Sequence, residues 1–438
     1  MKLLSLQAIL AFSLLLVVGS AGYSQEPAPE ESYATGTEFQ VDLAWFRTDN
    51  IKLNRLEVYY RIFNNDLQFK RVENAYQANY EISIIAYDNK GRPVDSRSRE
   101  KSFSLASYDR TVSEKDYRAS QINMILPPGK YKIECTLRDK NGNGRARKAL
   151  KTNLTGFDND NPQMSGIEFV QTADSAVLDS LFLKGNRTII PSVGREYGGD
   201  SAAVLLYYQE IYQGKGKRED IKIETQILDA KHDVVYRDTL TSTFSEGAIC
   251  QLRQASLSGM KAGMYILEVI LRGRREKIVD DMKETFWINW SPEALINNDF
   301  EAAVQQLKYI AAPAEMRKIE NAPTPEEKLK QWNEFWLSRD PTPGTAENEA
   351  KKDYYRRIEI ANQRYTVMKK EGWLADRGMI FITYGEPDQI EEYPFELSQK
   401  AYQVWYYYSA GNVRKFVFVD EWGDGDYRLQ YPYDGALK

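Results

Sequence analysis

Acids and arginines alternate along one tract of this chain, Trp332 to Asp388. Arg339 and Asp340 stand beside a Pro-rich break, Glu349 and Arg357 follow, and Asp376, Arg377, Glu386 and Asp388 close the tract. Two carboxylates flanking a cleft are what glycoside hydrolysis requires, one as acid and the other as base or nucleophile. The same residue types also serve architecture, because Arg–carboxylate pairs and carboxylate–amide bonds fix a helix-to-strand turn. A turn at Asp376 leaves backbone N–H groups for its carboxylate, and Arg377 is placed to reach Glu386 or Asp388. The architectural reading is preferred, and no catalytic residue is assigned. Trp373 is expected as a core aromatic, with a ligand-stacking platform as its alternative.

Other chemistries find little to work with. The one histidine, His232, sits in the turn-like DAKHD, which argues against a Ser-His-Asp or Cys-His site and against a multi-His zinc site. Cys135 falls on the buried parity of Tyr131, Ile133, Cys135 and Leu137, and Cys250 belongs to another unit, so no bridge between them is expected. Asp139-Lys140-Asn141-Gly142-Asn143-Gly144 opens like a calcium loop, but Leu150 stands where a bidentate Glu is needed. A polar hairpin is the expectation there and around Asp420, Asp424 and Asp426. No metal and no cofactor is expected. The net charge of −5 is mixed in sign, with no long basic block, which argues against nucleic acid as a partner.

The N-terminus reads as a targeting segment. Met1-Lys2 is followed by the apolar run Leu3 to Val18 and the small residues Gly19 to Gly22. This is signal-peptide anatomy, with a mature start shortly after Ala21. No cysteine follows the apolar run to carry a lipid anchor, and no later segment is long and apolar enough to span a bilayer. The expectation is a periplasmic or secreted protein, with residues 1–22 as signal and 23–36 as flexible linker.

The elements that hold the charged tract come in two styles. Through the first two thirds, three segments recur in order. LEVYYRIF (Leu56 to Phe63) resembles VLLYYQEI (Val204 to Ile211), and YEISIIAYDNKGRPV (Tyr80 to Val94) resembles IKIETQILDAKHDVV (Ile221 to Val235). LPPGKYKIECTLRD (Leu126 to Asp139) resembles MKAGMYILEVILRG (Met260 to Gly273), with Gly129, Tyr131 and Leu137 matching Gly263, Tyr265 and Leu271. An ordered triple match points to duplication. Short alternating strands with turns between them predict two tandem all-β sandwiches of immunoglobulin or fibronectin type, 37–157 and 164–290.

After Trp290 the period becomes helical. Ser291-Pro292-Glu293 starts one helix, whose apolar face runs from Phe300 to Ile310, and Thr324-Pro325-Glu326-Glu327 starts a second. A third is expected from about Ala346 to Lys370, with the stripe Ala350, Tyr354, Ile358, Ala361, Tyr365 and Met368 and a stop at Gly372. Met379 to Tyr384 is nearly all apolar and predicts a buried strand. Ala401 to Tyr408, Lys415 to Asp420 and Tyr427 to Tyr431 complete a small antiparallel sheet. Residues 291–438 are thus expected to form an α+β domain.

This last region resembles the GWxTD-domain proteins of bacterial envelopes. The resemblance rests on Phe335-Trp336, RDPTPGT from Arg339, Asn348-Glu349, Tyr354 to Arg357 and Ala361-Asn362. Gly372-Trp373-Leu374-Ala375-Asp376 then carries the signature, followed by Arg377-Gly378 and YGEPD from Tyr384 through Gly385, Glu386 and Pro387 to Asp388. Ala375 replaces the signature threonine. The resemblance implies an exported envelope protein and brings no activity with it. The function expected is a non-enzymatic interaction or scaffold module with an envelope protein or a glycan as partner. The alternative is a carbohydrate-binding or glycan-hydrolysing protein that uses the acids of the tract.

Overall fold

Alternating burial builds the first two thirds of the chain into antiparallel sheets. The structure, a computed structural model, describes residues 33–430 apart from 36, 114–115, 175–179, 200–203, 217–219, 245–246, 346–347, 368–369, 394–399 and 410–411. The expected signal segment and most of the linker lie outside these residues, as do Ala346 and Met368. The linker expectation is corrected at its end, where Tyr33–Thr35 pairs antiparallel with Arg145 to Arg147.

The first unit has seven principal strands: β1 (Gln40–Arg47), β2 (Asn54–Phe63), β3 (Ala75–Asp88), β4 (Pro93–Leu105), β5 (Tyr117–Leu126), β6 (Gly129–Asp139) and β7 (Arg145–Leu154). They form one sheet in the order β1-β2-β5 and another in the order β7-β6-β3-β4. Val58, Ile82, Ile84, Ile122, Ile133 and Cys135 from both sheets share one core. The second unit comprises β8 (Glu168–Asp174), β9 (Val204–Tyr212), β10 (Ile221–Leu228), β11 (Val234–Ser242), β12 (Ala248–Ser256), β13 (Gly263–Arg272) and β14 (Ile278–Trp290). Its sheets run β8-β9-β12 and β14-β13-β10-β11. The architecture is β-sandwich-like, with further short strands at the sheet edges.

Small local devices recur in both units. The Tyr131 hydroxyl donates to the carbonyl of Pro127 at 2.9 Å, and that of Tyr265 donates to Lys261 at 3.0 Å. Each hydroxyl thereby ties the entry of its strand to the chain four residues upstream. The hairpin after β3 turns on Asp88, whose carboxylate accepts from the N–H groups of Lys90 and Arg92. The hairpin after β10 turns on Asp229, which accepts from Lys231 and Asp233 in the same way. Asp139, read as a hairpin residue, accepts from Asn141 and Gly142, and also from Gln68.

Buried charge joins the two units. Arg195 donates to Asp42 of β1 at 2.5 and 2.9 Å and to Glu284 of β14 at 2.5 Å. Lys184 Nζ lies 2.8 Å from Glu57 of β2 and 2.8 Å from Glu168 of β8, and 3.5 Å from the ring centre of Phe46. These groups surround an apolar patch in which Phe46 and Tyr59 of the first unit meet Val170, Ile189 and Tyr208 of the second.

The C-terminal unit begins as the sequence indicates. Ser291 Oγ caps α1 (Pro292–Asn298) by accepting from Ala294 N–H. The expected single helix is then broken, because Asp299 caps a new helix, α2 (Phe300–Gln305), by accepting from Ala302 N–H. α3 (Pro313–Glu320) is an element the periodicity did not reveal. Thr324 caps α4 (Pro325–Leu337), which buries Trp332, Phe335 and Trp336 while Leu329 stays exposed. α5 (Glu349–Tyr365) is shorter than predicted. The Asn348 side chain caps its start, and Thr366 turns extended so that its hydroxyl can accept from Gly372 N–H.

The strand predicted at Met379 to Tyr384 is instead part of α6 (Asp376–Tyr384). An apolar run without strict alternation does not distinguish a strand from a buried helix. Here Gly385, at φ 84°, closes a helix whose Ile380, Phe381 and Ile382 are all buried. The sheet β15-β16-β17-β18 is made from Gln389–Tyr393, Tyr402–Ser409, Asn412–Asp420 and Tyr427–Gln430, so β15 takes the place expected for the lost strand. Trp405, Phe416 and Phe418 of this sheet share the core of the helices.

Two measurements test the forces described. His232 holds φ 68°, in the hairpin position where Gly91 of the first unit holds φ 74°. His232→Gly is expected to raise stability by about 0.5–1 kcal/mol in chemical denaturation, because a side chain is disfavoured in that conformation. Glu168 has its carboxyl pushed up to about 7 by burial, against an ordinary value of 4.5, with Lys184 opposing. The folded state therefore holds more protons in that window, and this contribution to stability is lost as pH rises from 4.5 through about 7. Glu168→Gln is expected to flatten that part of the stability–pH profile.

Candidate functional site

The charged tract is held by helices packed on a sheet. Gly372 follows α5 in a short 3-10 turn, and a Cβ built there would lie 1.9 Å from the carbonyl oxygen of Ala361. A Cβ on Gly378 would lie 1.9 Å from the carbonyl oxygen of Gly372. Only glycines allow α5, this turn and α6 to approach so closely. Trp373 is buried in the gap, as expected of a core aromatic. Its backbone N–H donates to Asn362 Oδ1 at 3.0 Å, its indole N–H to Glu371 at 2.5 Å, and its carbonyl accepts from the Tyr309 hydroxyl at 2.9 Å.

Ala375 is the N-cap of α6, the position where a threonine hydroxyl would accept a helix N–H. The substitution therefore removes a cap. Asp376, next in line, accepts from the backbone N–H of Leu429 at 2.8 Å, tying the helix start to β18. This corrects the expectation that Asp376 serves its own turn. Its negative charge also lies at the positive end of the helix dipole.

The arginines find different partners from those predicted. Arg377 reaches neither Glu386 nor Asp388. It donates to the Gly425 carbonyl at 3.1 Å, and its guanidinium lies 4.3 Å from the ring centre of Tyr427 and 5.2 Å from that of Tyr365. Burial draws its pKa below the usual arginine value. Glu386 instead receives Arg364 at 2.8 and 3.0 Å. Arg339 forms a two-pronged contact with Glu315 at 2.8 and 2.9 Å and stacks on Phe335. Arg357 donates to the Ile382 carbonyl near the end of α6, where a cation suits the dipole.

The remaining tract residues act in turns. Asp340 accepts from Thr342 N–H, and Glu349 accepts from the Thr342 hydroxyl at 2.5 Å. Tyr384 packs on Tyr407 and Phe416, and the Gly385 carbonyl accepts from the Tyr407 hydroxyl at 2.9 Å. Pro387 leads into Asp388, which accepts from Tyr408 N–H at 2.6 Å. Asp376 and Asp388 thus hold β18 and β16, on either side of β17, and do not present a free pair to a cleft. In the later hairpin Asp420 accepts from the N–H groups of Asp424 and Gly425, and Lys370 contacts Asp426.

Glu315, Arg364 and Glu371 were not singled out by sequence reasoning, and Asn362 entered only through the family resemblance. For Glu315, Asn362 and Arg364 the signal is tertiary, because each partner lies on another element, whereas Glu371 meets Trp373 two residues on. Among the described residues, no group of three or more His, Cys, Asp or Glu side chains is arranged to hold a metal ion, and no helix is long and apolar enough to cross a membrane.

Asp376→Ala leaves Leu429 N–H without its acceptor and is expected to cost about 1–3 kcal/mol. Ala375→Ser restores a cap and is expected to stabilise the same unit by about 1 kcal/mol. Thermal melts that follow the tryptophans of this unit measure both.

Comparison with known proteins gives one match to a family and several distant likenesses to structures. No curated protein matches the chain. Among solved structures, a glycosyl hydrolase family 2 member from Bacteroides cellulosilyticus is similar at 12% identity and a TM-score of 0.20, covering 52% of this chain and 26% of that one. A putative beta-galactosidase from Bacteroides fragilis gives 12% identity and 0.19, covering 52% and 32%. A beta-glucuronidase from Parabacteroides merdae gives 9% and 0.19, covering 53% and 28%. The chain spans about a quarter to a third of the length of these structures, and nothing about its chemistry follows from them. Residues 295–432 match the family model of the GWxTD domain, and the unit whose signature turn has just been described is a member of that family.

Proposed function

We propose that this chain is an exported, non-enzymatic interaction protein of a bacterial envelope, in which a rigid pair of β-sandwiches carries the GWxTD domain toward a protein partner. One observation carries the reading. The charged groups that could perform chemistry in the tract are engaged by partners on other elements: Arg339 on Glu315, Arg364 on Glu386, and Asp376 and Asp388 on strand N–H groups. Glycoside hydrolysis needs two carboxylates facing a cleft, and these acids serve as joints.

The two sandwiches are read as a duplicated module of fibronectin type. The shared strand order and the two tyrosine ties at the entries of β6 and β13 support this reading. Sandwiches of this kind serve as spacers, and the buried charges between these two favour a stiff one. The GWxTD sheet and the loop after β17 turn aromatic residues outward. Tyr408 is 51% exposed toward one end of the β16–β17 hairpin and Trp422 71% beyond the other, the end at which Tyr393 stacks on Tyr402. Tyrosine and tryptophan are the residues that protein interfaces favour.

The test is affinity capture from a bacterial envelope extract with the full chain and with a Tyr408→Ser, Trp422→Ser variant of unchanged melting temperature. A partner retained by the first and lost by the second is the expected result. Release of reducing sugar from envelope polysaccharide, abolished by Asp376→Asn, would overturn the reading. N-terminal sequencing of the recovered protein is expected to begin just after Ala21.

A further inference from the structure

A crevice of about 230 Å³ opens where the two sandwiches and the GWxTD domain meet. Gln40 and Lys148 line it from the first sandwich, Glu196, Trp287 and Asn289 from the second, and Asn362, Gln363 and Glu371 from the GWxTD domain. Junctions between units are where small-molecule sites commonly form. A purely structural junction would be closed by apolar packing or by satisfied polar pairs, because unpaired polar groups weaken an interface. This one is only partly closed in either way.

The walls carry unused hydrogen-bonding capacity. The carboxamides of Asn289 and Gln363 make no hydrogen bond among the described residues. Asn362 uses only its oxygen, on Trp373 N–H, which leaves its amide group available. Lys148 is engaged with Glu38. The two acids are poorly neutralised. Glu196 has Arg61 at 3.9 Å, and Arg61 directs its Nε to Gln40. Glu371 accepts from the Trp373 indole with one oxygen and has no cation in ion-pair contact among the described residues. Burial pushes the carboxyls of both Glu196 and Glu371 upward, which a bound positive charge would reverse. Trp287 adds an aromatic surface to one side.

Together these features describe a complement. Carboxamides that both donate and accept suit hydroxyl groups, an aromatic face suits the C–H face of a ring, and the Glu371 carboxylate suits an ammonium group. The volume is below the roughly 300 Å³ at which pockets for drug-sized molecules begin, so one ring is the natural occupant. The geometry points to a binding site at this three-unit junction for a small polyhydroxylated ring bearing an amino group, an amino sugar or a molecule of that chemistry. The site uses none of the signature acids and stands whether or not the GWxTD sheet docks a partner.

Isothermal titration of the full chain with glucosamine, glucose and glucuronate tests it. Glucosamine is expected to bind, glucose at least about tenfold more weakly (about 1.4 kcal/mol), and glucuronate not at all. Glu371→Gln keeps the shape and removes the charge, so it should bring glucosamine down toward glucose. Gln363→Ala combined with Asn289→Ala should abolish binding of both, with melting unchanged. Absence of glucosamine binding, equal affinity for glucose and glucosamine, or binding unaffected by the double substitution would each overturn the proposal. Should the double variant fail to fold, the Glu371→Gln comparison decides alone.

Discussion

A guanidinium buried between two carboxylates from different units sets the geometry of the molecule. Arg195 leaves the chain at φ 53°, a conformation that side chains disfavour, and reaches Asp42 of the first sandwich and Glu284 of the second. Burial weakens a cation, but these two acids more than offset it and hold Arg195 charged. Removing one partner of such a set strands a charge away from water, at a cost of about 3–5 kcal/mol. The sandwiches therefore hold one relative orientation. Lys184 repeats the arrangement nearby, with Glu57 and Glu168. Desolvation acts on both acids, yet Lys184 and Arg55 keep Glu57 below its ordinary range, whereas Glu168 rises.

That fixed orientation matters to the third unit. The short strand Glu196–Gly199, just after Arg195, runs parallel to β14, and Trp287 and Asn289 of β14 pair with it. Gly194 brings the chain close to the first unit, since a Cβ there would lie 2.7 Å from the flexible end of the Arg61 side chain. The wall of the junction crevice is thus built from the same few residues that lock the sandwiches together. Rigidity in one place and an unfilled space beside it have a common origin.

Within the GWxTD domain the signature residues read as joinery. Gly372 and Gly378 remove volume where backbone meets backbone, Trp373 fills the remaining gap, and Asp376 fastens the helix start to the last strand. Position 375 is the cap of the same helix, and its alanine leaves that cap unmade. A motif can recur for reasons of folding, and this one has a folding task at each position. The aromatic cluster of Trp332, Phe335, Trp336, Tyr354 and Tyr355 supplies the mass that these joints hold in place.

Local order was legible in the residues themselves. Parity placed Cys135 inside and marked the strands, because a strand buries every second side chain. Ser291, Thr324 and Asn348 are capping residue types, and the structure uses each at a helix start. The signature tract identified its family. What the sequence could not decide was decided by contacts between distant segments. Met379 to Tyr384 suits either a strand or a buried helix, and the Gly385 stop at its end together with packing against α5 made it helix. Arg377 has acids nine and eleven residues on, yet its contacts go to Gly425 and the rings of Tyr365 and Tyr427, which the fold places beside it. The junction crevice left no sequence signal, since its polar residues come from three units and only their packing makes them neighbours.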